Sequence, residues 1–391
     1  MKLLFFHAFV TLCLSSLCCG LIIPGIRDLL LDNNWDKHLP INNIIPWFVT
    51  PELSTKSELN VFITGATGYI GGQFLHEILH DKKHNFKVRA LVRTEEKAQK
   101  LFYKTNCEVY TVIGDLDSLD LLREEISKAD IVINAATNNH LPSTQVMDEV
   151  ISTKTSTTIL FHIAGVSVLS TRNQSDKYVW SDIADNKRIN ELPDDRPHIG
   201  IDRLVMNMKN KNPAYARPIV ISPALIYGTS HGYDNVHSVQ VPLLVRKSIE
   251  LGQVFTIDDG EYDWSNVHIH DLGAMFRLLL HKLIHNKNSV KTGTEGYYFA
   301  ETDNHTWIDV SVRASELLYE MDAVNTTEIA HLTEEESDKL FGSPLSSLYN
   351  TNALTKADLA RSYGWEPSHQ GEFWKSIEVT IADELHPGDD Y

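Results

Sequence analysis

Past residue 20 this chain has a single cysteine. Cys13, Cys18 and Cys19 crowd the N-terminus and Cys107 stands alone, so the body of the chain can form no internal disulfide and offers no cysteine cluster for zinc. Positive charge is also scarce: 35 Lys and Arg face 52 Asp and Glu, a formal charge of −17. An acidic surface repels phosphate backbones, which argues against nucleic acid as a partner. No internal repeat is visible, and the composition is not that of a disordered chain. What is present is ordinary for a globular protein. Of 391 residues 42% are apolar, enough for a sizeable core in one large domain or two smaller ones.

The first twenty residues read as a secretory leader. Lys2 precedes an apolar run from Leu3 to Leu14, and Cys18 and Gly20 are small residues spaced for cleavage between Gly20 and Leu21. Residues 1–20 are therefore expected to be a signal peptide and the protein to enter the secretory pathway or be secreted, with no stable membrane span after cleavage. Read through to Ile23, the same stretch could serve as an uncleaved N-terminal anchor; a cytoplasmic location is the remaining alternative. Three sequons, at Asn173, Asn304 and Asn325, agree with glycosylation in that pathway. The lack of disulfides pulls the other way. Residues 21–57, punctuated by Pro24, Pro40, Pro46 and Pro51, read as an arm or linker, which Trp47 and Phe48 would pack onto the body.

From residue 58 the pattern changes. Asn60-Val-Phe-Ile-Thr64 suits a buried strand. Gly65-Ala-Thr-Gly68-Tyr-Ile-Gly71-Gly72 follows at once, and Ile70, Phe74 and Ile78 then fall on one helical face. Strand, glycine turn and helix in that order form a dinucleotide-binding fingerprint. Gly65 permits the tight turn, Gly68 lets backbone approach a pyrophosphate and Gly71 lets the helix pack on the strand. The helix N-terminus offers free N–H groups to the anion. The next strand, Lys87–Val92, ends at Arg93, about twenty residues on, where an acidic residue would hold the ribose of NAD and a guanidinium would hold a 2′-phosphate. NADP(H) is therefore the expected cofactor, with NAD(H) as the alternative. Further strands at Glu108–Ile113, Asp130–Asn134, Ile159–Ile163, Pro218–Ser222 and Tyr297–Ala300, alternating with helical segments, predict an α/β fold with a doubly wound parallel sheet. The expected division is a Rossmann domain over 58–300, with substrate-side insertions at about 228–270, and a small discontinuous C-terminal substrate lobe over 301–391.

These residues together resemble the extended and atypical short-chain dehydrogenase/reductases, in particular NmrA-like and nucleoside-diphosphate-sugar-epimerase-like proteins. Thr64-Gly-Ala-Thr-Gly-Tyr-Ile-Gly71 matches the TGxxGxxG turn, so the resemblance implies cofactor contacts from Gly65, Thr67, Gly68, Tyr69, Ile70 and Gly71. Gly114-Asp115-Leu116 resembles the step in which the Asp meets adenine. Asn134-Ala135-Ala136 resembles the element near the cofactor ribose. Ser222-Pro223 through Tyr227-Gly228 resembles the stretch beside the nicotinamide, which implicates Pro223. Asn266–Leu272 and Gly364-Trp365 resemble later family elements.

The family's catalytic pair is absent. None of the fourteen tyrosines has Lys four residues on. Where the Tyr-x-x-x-Lys helix belongs, His198 stands for Tyr and Asp202 for Lys. The family's Ser resembles a change to Ala164, with Ser167 the nearest later hydroxyl. A histidine suits proton transfer near neutral pH, and a carboxylate at i+4 can orient it and favour its charged form. The chain then reads as an NADP(H)-dependent oxidoreductase of an alcohol, aldehyde or ketone, or an epimerase-like relative, with His198 and Asp202 in catalysis and a small-molecule substrate. The alternatives are a non-catalytic NADP-binding redox sensor of the NmrA-like type and an interaction protein that keeps the fold alone. His268 and His270, spaced as on a strand, would face opposite ways, so no metal site is expected.

Overall fold

A computed structural model describes residues 58–342 and 345–386. The leader and the arm expected at 1–20 and 21–57 lie outside the described residues. Fourteen strands are described: β1 Glu58–Thr64, β2 Asn85–Val92, β3 Val109–Ile113, β4 Ile131–Asn134, β5 Thr158–Ile163, β6 Val179–Ser181, β7 Ala216–Pro223, β8 Leu225–Tyr227, β9 Phe255–Ile257, β10 Asp263–His268, β11 Tyr297–Ala300, β12 Asp303–Thr306, β13 Ala330–Leu332 and β14 Leu354–Lys356. The helices are α1 Tyr69–Leu79, α2 Glu95–Lys104, α3 Leu119–Lys128, α4 Leu141–Thr153, α5 Asn186–Asn190, α6 Ile199–Lys211, α7 Gln240–Leu251, α8 Ile269–His285, α9 Trp307–Glu320, α10 Glu334–Phe341, α11 Asp358–Ser362 and α12 Phe373–Leu385.

Seven strands form one sheet in the order β11-β7-β5-β4-β1-β2-β3, and every neighbouring pair is parallel. The order reverses between β1 and β4, which opens a crevice beyond their C-terminal ends. All residues of β5 and β7 are buried, as expected of a parallel sheet covered on both faces. Phe74 of α1 stacks on Phe276 of α8 at 4.2 Å, and Phe161 of β5 meets Phe276 edge-on. The doubly wound fold expected from the sequence is therefore present.

The later chain builds smaller sheets. β10 pairs with β8 in parallel and with β12 antiparallel, β13 with β9, and β14 with β6. The run of three glutamates starts α10, where Thr333 and Glu336 form a capping box, so those charges sit on the positive end of the helix. Asn173, Asn304 and Asn325 are all exposed. No described helix is long and apolar enough to cross a membrane.

Candidate active site

The glycine turn closes against β4. Gly65 has φ +82°, and a Cβ there would lie 2.5 Å from the backbone of Ala135; a Cβ on Gly71 would lie 2.2 Å from the Gly65 carbonyl oxygen. Only bare backbone fits at either point. Gly68 caps α1 with no side chain in the way, so the first N–H groups of the helix, which have no partner within it, face the crevice.

A cavity of about 380 Å³ opens there, and its walls include Gly65, Thr67, Gly68, Arg93, Asp115, Leu116, Ala135 and Ala136. Eight of the expected cofactor residues thus share one wall. The exposed Arg93 forms no ion pair among the described residues. Asp115 accepts hydrogen bonds from the Ser118 hydroxyl and the Asp117 N–H; the Ser118 bond holds its carboxyl below the usual range. These features fit a dinucleotide: a glycine cradle, free amides for a diphosphate and a cation at the end of β2.

The remaining expected positions lie elsewhere. Tyr69 is buried and donates its hydroxyl to the Gly228 carbonyl at 2.6 Å. Ile70 packs against the core, Gly71 lies under the turn, and Pro223 is buried at the end of β7. Asn134 is also buried, and its amide is spent inside the sheet, as described below. Two residues that the sequence did not single out complete the cavity, Lys97 and Asn235. Asn235 donates its backbone N–H to the Thr67 carbonyl at 3.1 Å, and Asp234 pairs with Lys97 at 3.2 Å. The loop after β8 is thus fastened over the glycine turn.

Sheet register builds the second half of the site. Thr64 pairs with Asn134, Asn134 with His162, His162 with Val220 and Val220 with Tyr297. Residues in one such row point to the same face of a parallel sheet. The result is a line of polar side chains across an apolar sheet, interrupted at Val220 and lying under α6. The Thr64 hydroxyl donates to Asn134 Oδ1 at 3.0 Å, and Asn134 Nδ2 donates to His162 Nδ1 at 2.9 Å. Neutral His162 then carries its proton on Nε2, which faces Asp202 Oδ1 at 3.5 Å. The Tyr297 hydroxyl donates to Asp202 Oδ2 at 3.0 Å.

Asp202 is fully buried. Burial opposes its charge, yet the imidazoles of His162 and His198 that face it hold its carboxyl below the usual range. Nδ1 of His198 lies 3.0 Å from the same Oδ2. A carboxylate only accepts, so the proton of neutral His198 sits on Nδ1 and its Nε2 lone pair is free. That nitrogen faces Ser167 Oγ at 3.4 Å. His198 sits at the N-cap of α6 rather than within it, with φ +47°; Ser167 lies in a short 3-10 turn, Val166–Leu169, directly after β5. The contact between His198 and Asp202 expected from their spacing is present. His162, Tyr297 and the role of Asn134 went unrecognised. The one available signal was a polar residue inside each buried strand.

One expectation needs correction. His268 and His270 do not face opposite ways, because β10 ends at His268 and α8 begins at Ile269. His268 becomes the helix cap, and its Nδ1 accepts the His270 N–H at 3.2 Å. The turn brings both rings to one side, 4.6 Å apart. His268 stacks on His369 at 4.1 Å and His270 on His231 at 4.0 Å. Burial and mutual repulsion push His268 down to about 3 and His270 to about 4. Both border a second cavity, of about 290 Å³, with Tyr227, Glu372 and Asp383.

Comparison with known proteins agrees with this geometry. Residues 65–189 match the NAD(P)H-binding family. The chain is 28% identical over 347 residues to the oxidase ucsJ of Acremonium sp, covering 83% of this chain and 97% of that one. It is 27% identical over 237 residues to a decarboxylating sterol-4-alpha-carboxylate 3-dehydrogenase of Dictyostelium discoideum, covering 57% and 68%. Among solved structures, dTDP-glucose 4,6-dehydratase of Bacillus anthracis in complex with NAD superposes with a TM-score of 0.58 at 16% identity, covering 83% of this chain and 96% of that one. The UDP-glucose 4-epimerase of Thermotoga maritima gives 0.58 at 13%, covering 83% and 98%.

Proposed function

We propose, from the premise that the chain carries an NAD(P)-binding Rossmann domain of the atypical extended short-chain dehydrogenase/reductase type, that it is an oxidoreductase interconverting an alcohol and a carbonyl compound. In this reading His198 moves the proton. The observation behind it is the line Ser167–His198–Asp202, in which a buried anionic carboxylate fixes an imidazole whose free nitrogen meets a hydroxyl. An activated group within reach of a base that is itself oriented by a third group is the usual sign of proton-transfer chemistry. Of the relatives, the oxidase of Acremonium sp and the dehydrogenase of Dictyostelium discoideum point the same way.

A bound nicotinamide dinucleotide would supply or take the hydride. Gly65, Thr67, Gly68 and the N-terminus of α1 would hold its diphosphate, Asp115 and Leu116 would border its adenine, and Arg93 with Lys97 would meet a 2′-phosphate. The Ser167 hydroxyl orients the substrate oxygen. His198 Nε2 takes the proton from an alcohol, and in the reverse direction returns it to the carbonyl oxygen. Asp202 stabilises the imidazolium that forms. His162 and Tyr297 keep Asp202 anionic and in place. A lysine beside a tyrosine favours the phenolate, whereas a carboxylate beside an imidazole favours the imidazolium. The exchange of Tyr and Lys for His and Asp thus reverses both charges and keeps one task.

The test is oxidation of NADPH and NADH by the purified chain against a panel of aldehydes and ketones, with calorimetric titration of each nucleotide in parallel. Turnover that disappears in His198→Ala while nucleotide binding persists supports the reading. Nucleotide binding with no turnover across the panel overturns it in favour of a sensor, and absence of both leaves only a fold.

A further inference from the structure

We propose that Asp81, His84 and His281 bind a zinc ion on the surface of the Rossmann domain. This site is independent of the chemistry assigned to His198. The turn that follows α1 brings Asp81 and His84 together, and His281 reaches them from α8. Asp81 Oδ1 is committed to the backbone, accepting the Lys83 N–H at 2.5 Å. Its other oxygen is left for side chains. His84 Nδ1 lies 2.9 Å from Oδ2, and His281 Nε2 lies 2.5 Å from the same atom. The three donor atoms lie within 4.8 Å of one another.

Two imidazoles aimed at a single carboxylate oxygen crowd one acceptor, while an ion between the three atoms would serve all of them. Two nitrogens and one oxygen make a donor set suited to zinc, at about 2.0–2.2 Å per bond. Tetrahedral bonds of that length place ligand atoms about 3.3 Å apart. Each imidazole nitrogen lies less than an ångström short of that spacing from Asp81 Oδ2, and the two nitrogens lie within 4.8 Å of each other. The Asp81 side chain is 2% exposed and the imidazoles are 20% and 22% exposed. A fourth position is therefore left toward solvent for water.

The ion would tie the turn after the cofactor helix α1 to α8. The other convergent trio, His268, His270 and His369, makes a poorer chelate. His268 spends Nδ1 on the His270 N–H, and its ring lies parallel to His369, so their in-plane lone pairs do not converge.

The experiment is calorimetric titration of the untagged, chelator-stripped full chain with zinc chloride. It should read one equivalent, accompanied by a rise in the thermal midpoint. His84→Gln and His281→Gln should each weaken binding at least tenfold, and His270→Gln/His369→Gln should leave it unchanged. X-ray absorption at the zinc edge of the unmutated chain should read two imidazoles among nitrogen and oxygen ligands, which keeps the test independent of how any variant folds. No zinc uptake, uptake that survives in His84→Gln/His281→Gln, loss in the His270/His369 pair, or a sulfur or three-imidazole shell would each overturn the assignment.

Discussion

Thr64, the last residue before the glycine turn, and His162, two strands away, are joined through the single side chain of Asn134, which accepts from one at 3.0 Å and donates to the other at 2.9 Å. The amide can make both bonds because parallel register places all three residues in one row. The same row continues to Tyr297, and Asp202 bridges from above. The strand ends that would meet a cofactor and the imidazole that would move a proton are thereby parts of one polar line, hydrogen-bonded on either side of a 3.5 Å contact between His162 and Asp202.

Replacing His198 by Ala should lower turnover by roughly 10²–10⁴-fold, the range for a positioned general acid or base, with nucleotide affinity unchanged. Steady-state rates together with nucleotide titration check this. Unaltered turnover would remove His198 from the chemistry.

Tyr297→Phe removes a donor from the oxygen that also holds His198. Asp202 then becomes a stronger partner for the imidazolium. The acid limb of the pH–rate profile should move to higher pH, and stability should fall by about 1 kcal/mol. A limb that stays in place would mean Tyr297 only packs.

Arg93→Ala should weaken NADP(H) by about 1.5–3 kcal/mol, the range for a charge-assisted hydrogen bond, and NAD(H) far less. Equal losses for the two nucleotides would contradict recognition of a 2′-phosphate.

Gly65→Ala adds a methyl group 2.5 Å from the Ala135 carbonyl and forces a side chain into φ +82°. The backbone term alone is about 1–2 kcal/mol. Nucleotide binding should be lost, with a lowered thermal midpoint; a variant that binds normally would refute the close approach of turn and strand.

His268 and His270 are neutral in the folded chain down to about pH 3 and 4, whereas the unfolded chain protonates them near 6.5. Between those values the unfolded state binds more protons, so stability falls as pH drops through that window. Thermal midpoints at pH 7 and pH 5 should differ, and less so in His268→Gln/His270→Gln. An unchanged difference would show that other groups set the slope.

Much of the cofactor half was legible in the sequence because it is local. Strand, turn and helix are contiguous from Asn60 to Ile78, and the steric demand at Gly65 is written in the residue type. Arg93 could be found by counting from the turn. The half of the site proposed for proton transfer was legible only at the pair His198 and Asp202, whose spacing is itself a local contact. His162 and Tyr297 could not be placed, since their meeting depends on strand order and register. Asn134 misled for the same reason: at the end of a strand it reads as a cofactor contact, but the neighbouring row turns its amide inward. Asn235 reaches Thr67 across a long sequence gap through a loop with no periodic pattern. His268 and His270 were misread by extending a strand one turn too far.

The left-handed backbone at His198 has an evolutionary and practical corollary. An imidazole held there costs on the order of 1–2 kcal/mol relative to glycine, but its Nδ1–H also serves the buried Asp202 carboxylate, and leaving that charge short of a donor costs as much or more. Selection for heat tolerance alone, in a laboratory screen that never assays turnover, should therefore retain His198. A change to glycine there should become tolerable only once Asp202 has given way to a neutral residue.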